Sequence, residues 1–114
     1  MSRSLIITET EHKHMAVPVN KLPPIHPGEF LREDMKFLGL SARALADAIA
    51  VPHNRVSAIL RGERAITADT ALRLAAYFGT SAEVWMNLQQ AYDLKVTEQQ
   101  RGAVIRKKVK HRMA

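Results

Sequence analysis

The chain contains no cysteine, which excludes disulfides, thiolate zinc sites, iron–sulfur clusters and cysteine nucleophiles and fits an intracellular protein. Aromatic residues make up only 5% of its 114 residues, so any core must be aliphatic and rich in alanine. No apolar run approaches the ~18 residues that a membrane-spanning helix needs, and Leu5-Ile6-Ile7 is too short for the core of a signal peptide. A glycine-rich phosphate loop is missing as well, because the five glycines stand singly and mostly punctuate helical patterns. Period-two alternation of useful length is also missing, which argues against a sheet. What is left is abundant aliphatic sequence. At 46% hydrophobic residues the chain is too apolar for wholesale disorder, and its length suits one domain rather than two. The expectation is one small, all-α, cytoplasmic domain.

Charge is plentiful but uneven. The formal net charge is +6, a balance that invites a nucleic-acid reading. Residues 1–25 show no sustained periodicity and end in Lys21-Leu22-Pro23-Pro24, an extended connector that opposes helix. Met15 offers an alternative start. Residues 26–96 are nearly neutral, with a small positive patch from Arg43, Arg55, Arg61 and Arg64 against Asp47 and Glu63. Residues 97–114 carry six basic side chains against Glu98 alone. Three segments follow: a flexible N-terminal extension (1–25), a helical domain (26–96) and a flexible basic tail (97–114). The tail is open to three readings, as a solvated end, a partner-wrapping segment or a phosphate-binding arm.

Within 26–96 the helix signals are dense. Pro27 suits the first position of a helix, where a missing N–H costs nothing. Phe30, Leu31, Phe37 and Leu38 then form an apolar stripe closed by Gly39. Ser41 is a good cap for a short second helix with Leu45, Ala46 and Ile49 inward. Ala50-Val51-Pro52 is a tight break, because proline disfavours helical geometry at Val51 while its fixed φ can open a new helix. His53 to Arg61 is that third helix, stopped by Gly62. Thr67 caps a fourth, with Ala71, Leu74, Ala75 and Phe78 on one face, and Ser81 caps a fifth, with Val84, Trp85, Leu88 and Tyr92 inward.

The second and third helices are joined too closely to lie antiparallel, which is the helix-turn-helix arrangement whose second member enters the major groove of DNA. At ~100° per residue, His53, Asn54, Ser57, Ala58 and Arg61 share one side of the third helix, and Val56 and Ile59 the other. The first set suits base edges: Asn for adenine, Ser for several groups, His as donor or acceptor, and the Ala58 methyl for thymine. Arg61 is placed for a phosphate. Arg55, on the buried flank, either reaches the DNA backbone or braces the second helix. The same pattern also describes an ordinary amphipathic surface helix.

Several stretches resemble HigA-type antitoxins, a branch of the XRE helix-turn-helix family. They are His26-Pro27-Gly28-Glu29-Phe30-Leu31-Arg32-Glu33, Leu38-Gly39-Leu40-Ser41, Ala68-Asp69-Thr70-Ala71-Leu72-Arg73-Leu74-Ala75, Phe78-Gly79-Thr80-Ser81, and above all Trp85-Met86-Asn87-Leu88-Gln89-Gln90-Ala91-Tyr92-Asp93-Leu94. The resemblance implies a five-helix, lambda-repressor-like domain, usually dimeric, that represses its own promoter and neutralises a small ribonuclease toxin. Carried over by position, base reading falls on His53, Asn54 and Ala58, with Ser57 adjacent, and phosphate contacts on Ala42, Arg43 and Arg61. Three departures stand out. Pro52 replaces the family's Ser or Thr cap before the recognition helix. Met35 and Leu60 occupy the positions of an Arg–Glu bridge, which implies an apolar contact. Ala58 makes no hydrogen bond to a base.

A small domain buries only ~60% of its chain surface, so a partner surface is expected, and Trp85, Leu88 and Tyr92 on the fifth helix are its candidates as a homodimer interface. No motif organises a catalytic group. His26 reads as a cap or packing residue, and Glu29, Glu33 and Asp34 as solvated charges that complement a helix dipole. His12 and His14 lack a third metal ligand. Neither cofactor nor metal is expected. The alternatives to an antitoxin are a free-standing regulator without a toxin and a helix-turn-helix-shaped protein-interaction module.

Overall fold

The computed structural model describes residues 22–113; Leu5-Ile6-Ile7, His12, His14, Met15 and most of the expected N-terminal extension lie outside the described residues. Five helices follow one another, α1 (Pro27–Leu38), α2 (Ala42–Ile49), α3 (His53–Leu60), α4 (Ala68–Phe78) and α5 (Ala82–Lys108), and no strand occurs among the described residues. Each boundary has a local cause. Four helices are capped by a side chain that accepts an otherwise orphaned backbone N–H: His26 Nδ1 from Gly28, Ser41 from Ala44, Thr67 from Thr70 and Ser81 from Val84. Pro52 gives α3 no such bond.

Three helices end in a left-handed residue, at Gly39 (φ 66°), Ala50 (φ 61°) and Gly79 (φ 72°). In each, the next N–H folds back to a carbonyl inside the helix, as in Leu40 to Met35 at 2.8 Å and Val51 to Ala46 at 3.0 Å. Ala50 is the one non-glycine residue among those described with a positive φ, a conformation that costs an L-residue about 1 kcal/mol. Arg73 of α4 holds that turn from outside. Its Nη1 donates to the carbonyls of Ile49 (2.8 Å) and Ala50 (3.2 Å), while its Nε donates to Asp69 Oδ1 at 2.7 Å. Replacing Arg73 by Ala should therefore cost about 1–2 kcal/mol in urea unfolding. Arg73→Lys should recover only part of that, because an ammonium lacks the guanidinium fork. Equal stability of the wild type and Arg73→Ala would remove the latch from this account.

The core is aliphatic, as the scarcity of aromatics requires: Leu31, Met35, Leu45, Ala46, Ile49, Val56, Ile59, Ile66, Ala71 and Leu74 are buried, with Trp85. α2 packs on α3 and α4, α4 on α5, and α1 on α3 and α5. A buried amide closes the bundle: Gln89 Oε1 accepts the Ile66 N–H at 2.8 Å, and its Nε2 donates to Asp93 at 2.9 Å.

Four expectations need correction. Phe37 and Leu38 do not face the core but are 90% and 55% exposed; the inward stripe of α1 is Leu31 and Met35, and a residue two places on from Met35 points ~200° away from it. Trp85 is 4% exposed and packs against Phe78 within its own bundle (ring centroids 6.2 Å), so it is a core residue and not a surface for a second copy. Helices α1 and α3 are bridged not simply by Met35 and Leu60 but by Arg32, whose Nη2 donates to the Leu60 carbonyl at 2.8 Å. Finally, the last helix does not stop at residue 96, where the flexible basic tail was expected to begin. It continues to Lys108, aided by a bidentate pair of Arg106 and Glu98 that spans Gly102.

His26, read as a cap or packing residue, is both. It is buried, caps α1 through Nδ1 at 2.9 Å and meets Tyr92 edge-on at 4.9 Å. Burial lowers its pKa below the ordinary imidazole value, against a hydrogen bond to the Arg64 backbone and the charges of Asp93 and Glu29. The unfolded chain thus binds the proton more readily than the folded one. Stability is fully present above about pH 6.5 and falls as the pH drops below that value towards the folded pKa. Unfolding free energies measured across that range should show this slope, and His26→Asn, which keeps an acceptor at the cap, should flatten it. An undiminished slope in the variant would assign it to another group.

Candidate DNA-reading surface

α3 has two faces with different fates. Val56 and Ile59 are 1% exposed, which fixes the helix against α1 and α2. The opposite side carries Asn54 and Arg61, both exposed, with His53, Ser57 and Ala58 half-buried beside them. These five were grouped from helical projection alone, and the structure brings them together on one side. The fates of their polar atoms differ. The Asn54 side chain makes no hydrogen bond among the described residues, so its amide is free to pair with a ligand. The Ser57 hydroxyl donates to the His53 carbonyl at 3.2 Å and keeps its lone pairs for accepting. Arg61 lies at the end of α3 with its Nε on Glu63 Oε1 at 3.1 Å, an exposed pair that a phosphate can displace. Arg43 is exposed at the start of α2, next to half-buried Ala42.

Arg55 braces a neighbouring helix, but the fourth rather than the expected second. Its Nη1 donates to Asp69 Oδ1 at 3.2 Å, so it ties α3 to α4 and not to α2. Asp69 in turn holds Arg73, which latches the turn between α2 and α3. The hydrogen bond from Arg73, with the nearby charges of Arg73 and Arg55, holds the Asp69 carboxyl below the usual carboxylate range. One exposed aspartate therefore links the recognition helix and the turn before it. In the sequence Asp69 and Arg73 stand out only as members of a family-like stretch. The available signal was their i, i+4 spacing on one face of the fourth helix.

Tyr92 and Leu88 are half-buried on α5, Tyr92 against His26 and Leu88 against the core. Among the described residues there is no cluster of His, Asp and Glu fit to hold a metal, and no helix is long and apolar enough to cross a membrane.

A short helix, a tight turn and a second helix with one face locked in the core and the other polar and open define a helix-turn-helix domain. A helix-turn-helix family model matches residues 31–85. The chain is 53% identical over 93 residues to virulence-associated protein I of Dichelobacter nodosus, covering 79% of this chain and 86% of that one. Among solved structures it resembles an addiction-module antidote protein of the HigA family from Coxiella burnetii, with TM-score 0.78 and 54% identity over 80% of this chain and all of that one. It also resembles the Pseudomonas aeruginosa antitoxin HigA solved with the higBA promoter, with TM-score 0.76 and 42% identity over 79% of this chain and 99% of that one. The chain belongs to the HigA-type antitoxin family of helix-turn-helix proteins.

Proposed function

We propose that this protein is the DNA-binding antitoxin of a type II toxin–antitoxin pair, that it represses its own promoter, and that it neutralises a small ribonuclease toxin. The observation that carries the DNA-binding part is the open polar face of α3, on a helix whose other side is fixed in the core. The P. aeruginosa antitoxin bound to its promoter, matched along most of both chains, supports the same use here. In this reading α3 enters the major groove. Asn54, His53, Ser57 and the Ala58 methyl meet base edges, while Arg43 and Arg61 meet phosphates and Arg55 keeps α3 at its angle through Asp69. The protein is a cytoplasmic binding protein and not an enzyme. It acts as a homodimer, with two recognition helices about 34 Å apart on an inverted repeat. With Trp85 committed to the core, Leu88 and Tyr92 are the remaining candidates of the expected dimer contact. The DNA-reading unit is 26–96, and the basic side chains of 97–114 add sequence-independent attraction for phosphates.

Fluorescence anisotropy on the protein's own upstream region tests the first part. Inverted-repeat DNA should bind at least a thousandfold more tightly than scrambled duplex at physiological salt, the low end of the usual ratio. Equal affinities would remove operator recognition. Co-expression with the product of the adjacent reading frame tests the second: rescue from its toxicity is expected. An adjacent product that is not toxic would leave a free-standing regulator instead.

A further inference from the structure

Asp47 stands in the last turn of α2, at the end where the helix dipole disfavours a carboxylate. The tight turn brings it back onto the first residue of α3, and its Oδ1 lies 2.8 Å from His53 Nε2. A carboxylate only accepts hydrogen bonds, so the proton in that contact belongs to Nε2. A neutral imidazole carries a single N–H, and Nδ1 is then left as a lone-pair acceptor. No side chain among the described residues donates to it, and the His53 side chain remains 42% exposed.

In the major groove an acceptor is met only by exocyclic amines, N6 of adenine and N4 of cytosine. Guanine presents O6 and N7, and thymine presents O4, all of them acceptors. We propose that Asp47 is a positioning residue for base readout: by holding His53 in the Nε2–H tautomer, it makes His53 select adenine or cytosine over guanine or thymine at one position of each half-site. This rests on the DNA-reading assignment above. Without Asp47 the proton moves freely between the two ring nitrogens, His53 donates or accepts as the base requires, and the selection is lost. Removing the carboxylate also lessens repulsion of the DNA backbone, but that effect is the same for every sequence and is separable on that ground.

The test is competition binding at about pH 8 on an operator set in which each half-site position is varied in turn. The proteins are the wild type, Asp47→Ala, His53→Ala and the double variant, with thermal melting as the check on folding. The wild type should favour adenine or cytosine by roughly tenfold at one position, the scale set when an acceptor faces another acceptor. Asp47→Ala should reduce that preference to about twofold or less and leave the profile at other positions intact. His53→Ala should abolish it, and adding Asp47→Ala to His53→Ala should change nothing further. An unchanged base-preference profile in Asp47→Ala would overturn the proposal, whether or not the affinity for every duplex rises together. A wild-type protein unable to tell operator from scrambled duplex would remove the DNA-reading assignment itself, and this proposal with it.

Discussion

Replacing Gly28 by Ala is expected to remove about 3 kcal/mol of stability, a large share of what a small domain possesses. Gly28 is buried in the first turn of α1, where that helix lies against the end of α3. A Cβ built there would fall far inside the contact distance of the Ile59 carbonyl oxygen, 2.9 Å from its carbonyl carbon and 3.1 Å from His26 Nδ1. Two of these neighbours are backbone, so no change of rotamer relieves the clash. The helices must separate, and that loosens the core to which Leu31 and Ile59, both 1% exposed, belong. Alanine's better helix propensity offsets only about 1 kcal/mol. Gly102 is the natural control. The nearest atoms to a Cβ there are the ends of the Glu98 and Arg106 side chains, which can move aside, so Gly102→Ala should be near neutral. Urea unfolding of both variants checks the contrast, and a Gly28→Ala protein as stable as the wild type would refute the close approach.

Asn54→Ala is expected to weaken binding to the operator by about 1–3 kcal/mol, roughly 5- to 150-fold, with little change on scrambled DNA. The position makes the experiment clean. Asn54 is exposed at the second residue of α3 and its side chain makes no hydrogen bond among the described residues, so truncating it leaves no buried group unpaired and the melting temperature should hold. An amide can make two hydrogen bonds to an adenine edge, whereas neither the Ser57 hydroxyl nor the Ala58 methyl can. The effect should therefore concentrate at one base position per half-site. Parallel losses on operator and scrambled duplex would show that Asn54 reads no base.

These two residues illustrate different kinds of legibility. Asn54 was found from spacing, because the angle between positions on a helix is a property of the helix alone. The same holds for the caps at Ser41, Thr67 and Ser81, the stops at Gly39 and Gly79, the inward faces of α2 and α3, and the break at Val51-Pro52. All depend on residues a few places apart. Gly28 was visible only as part of a family-like opening. That it must lack a Cβ depends on Ile59, 31 positions later, and nothing in the local pattern around either residue shows their approach.

The errors divide in the same way. The first stripe included Phe37 and Leu38 because they are apolar, whereas inward positions are set by the angle from Leu31 and Met35. The boundary after residue 96 rests on charge, because basic side chains dominate from there on. The continuation of α5 to Lys108 has a local support, Arg106 reaching over Gly102 to Glu98, that a count of charges reads as a basic tail. Trp85 was offered to a dimer because aromatics on a small domain invite a partner; only the packing of α5 on α4 places it beside Phe78.

By itself the sequence determined that this protein is all-α, where its first four helices begin and end, which face of the third is polar, and the family it resembles. Those features are fixed within one or two helical turns, by backbone geometry and by side chains bonding to nearby N–H groups. Only the tertiary structure decided which polar side chains are already occupied. It set Arg55 on Asp69, Arg73 on the turn at Ala50, Arg32 on Leu60 and His53 on Asp47. Most of these contacts join residues on different helices, whose separation in space is settled by the burial of the common core and by the way the chain turns between them. A side chain's reach is then measured against neighbours that its own stretch of sequence does not contain.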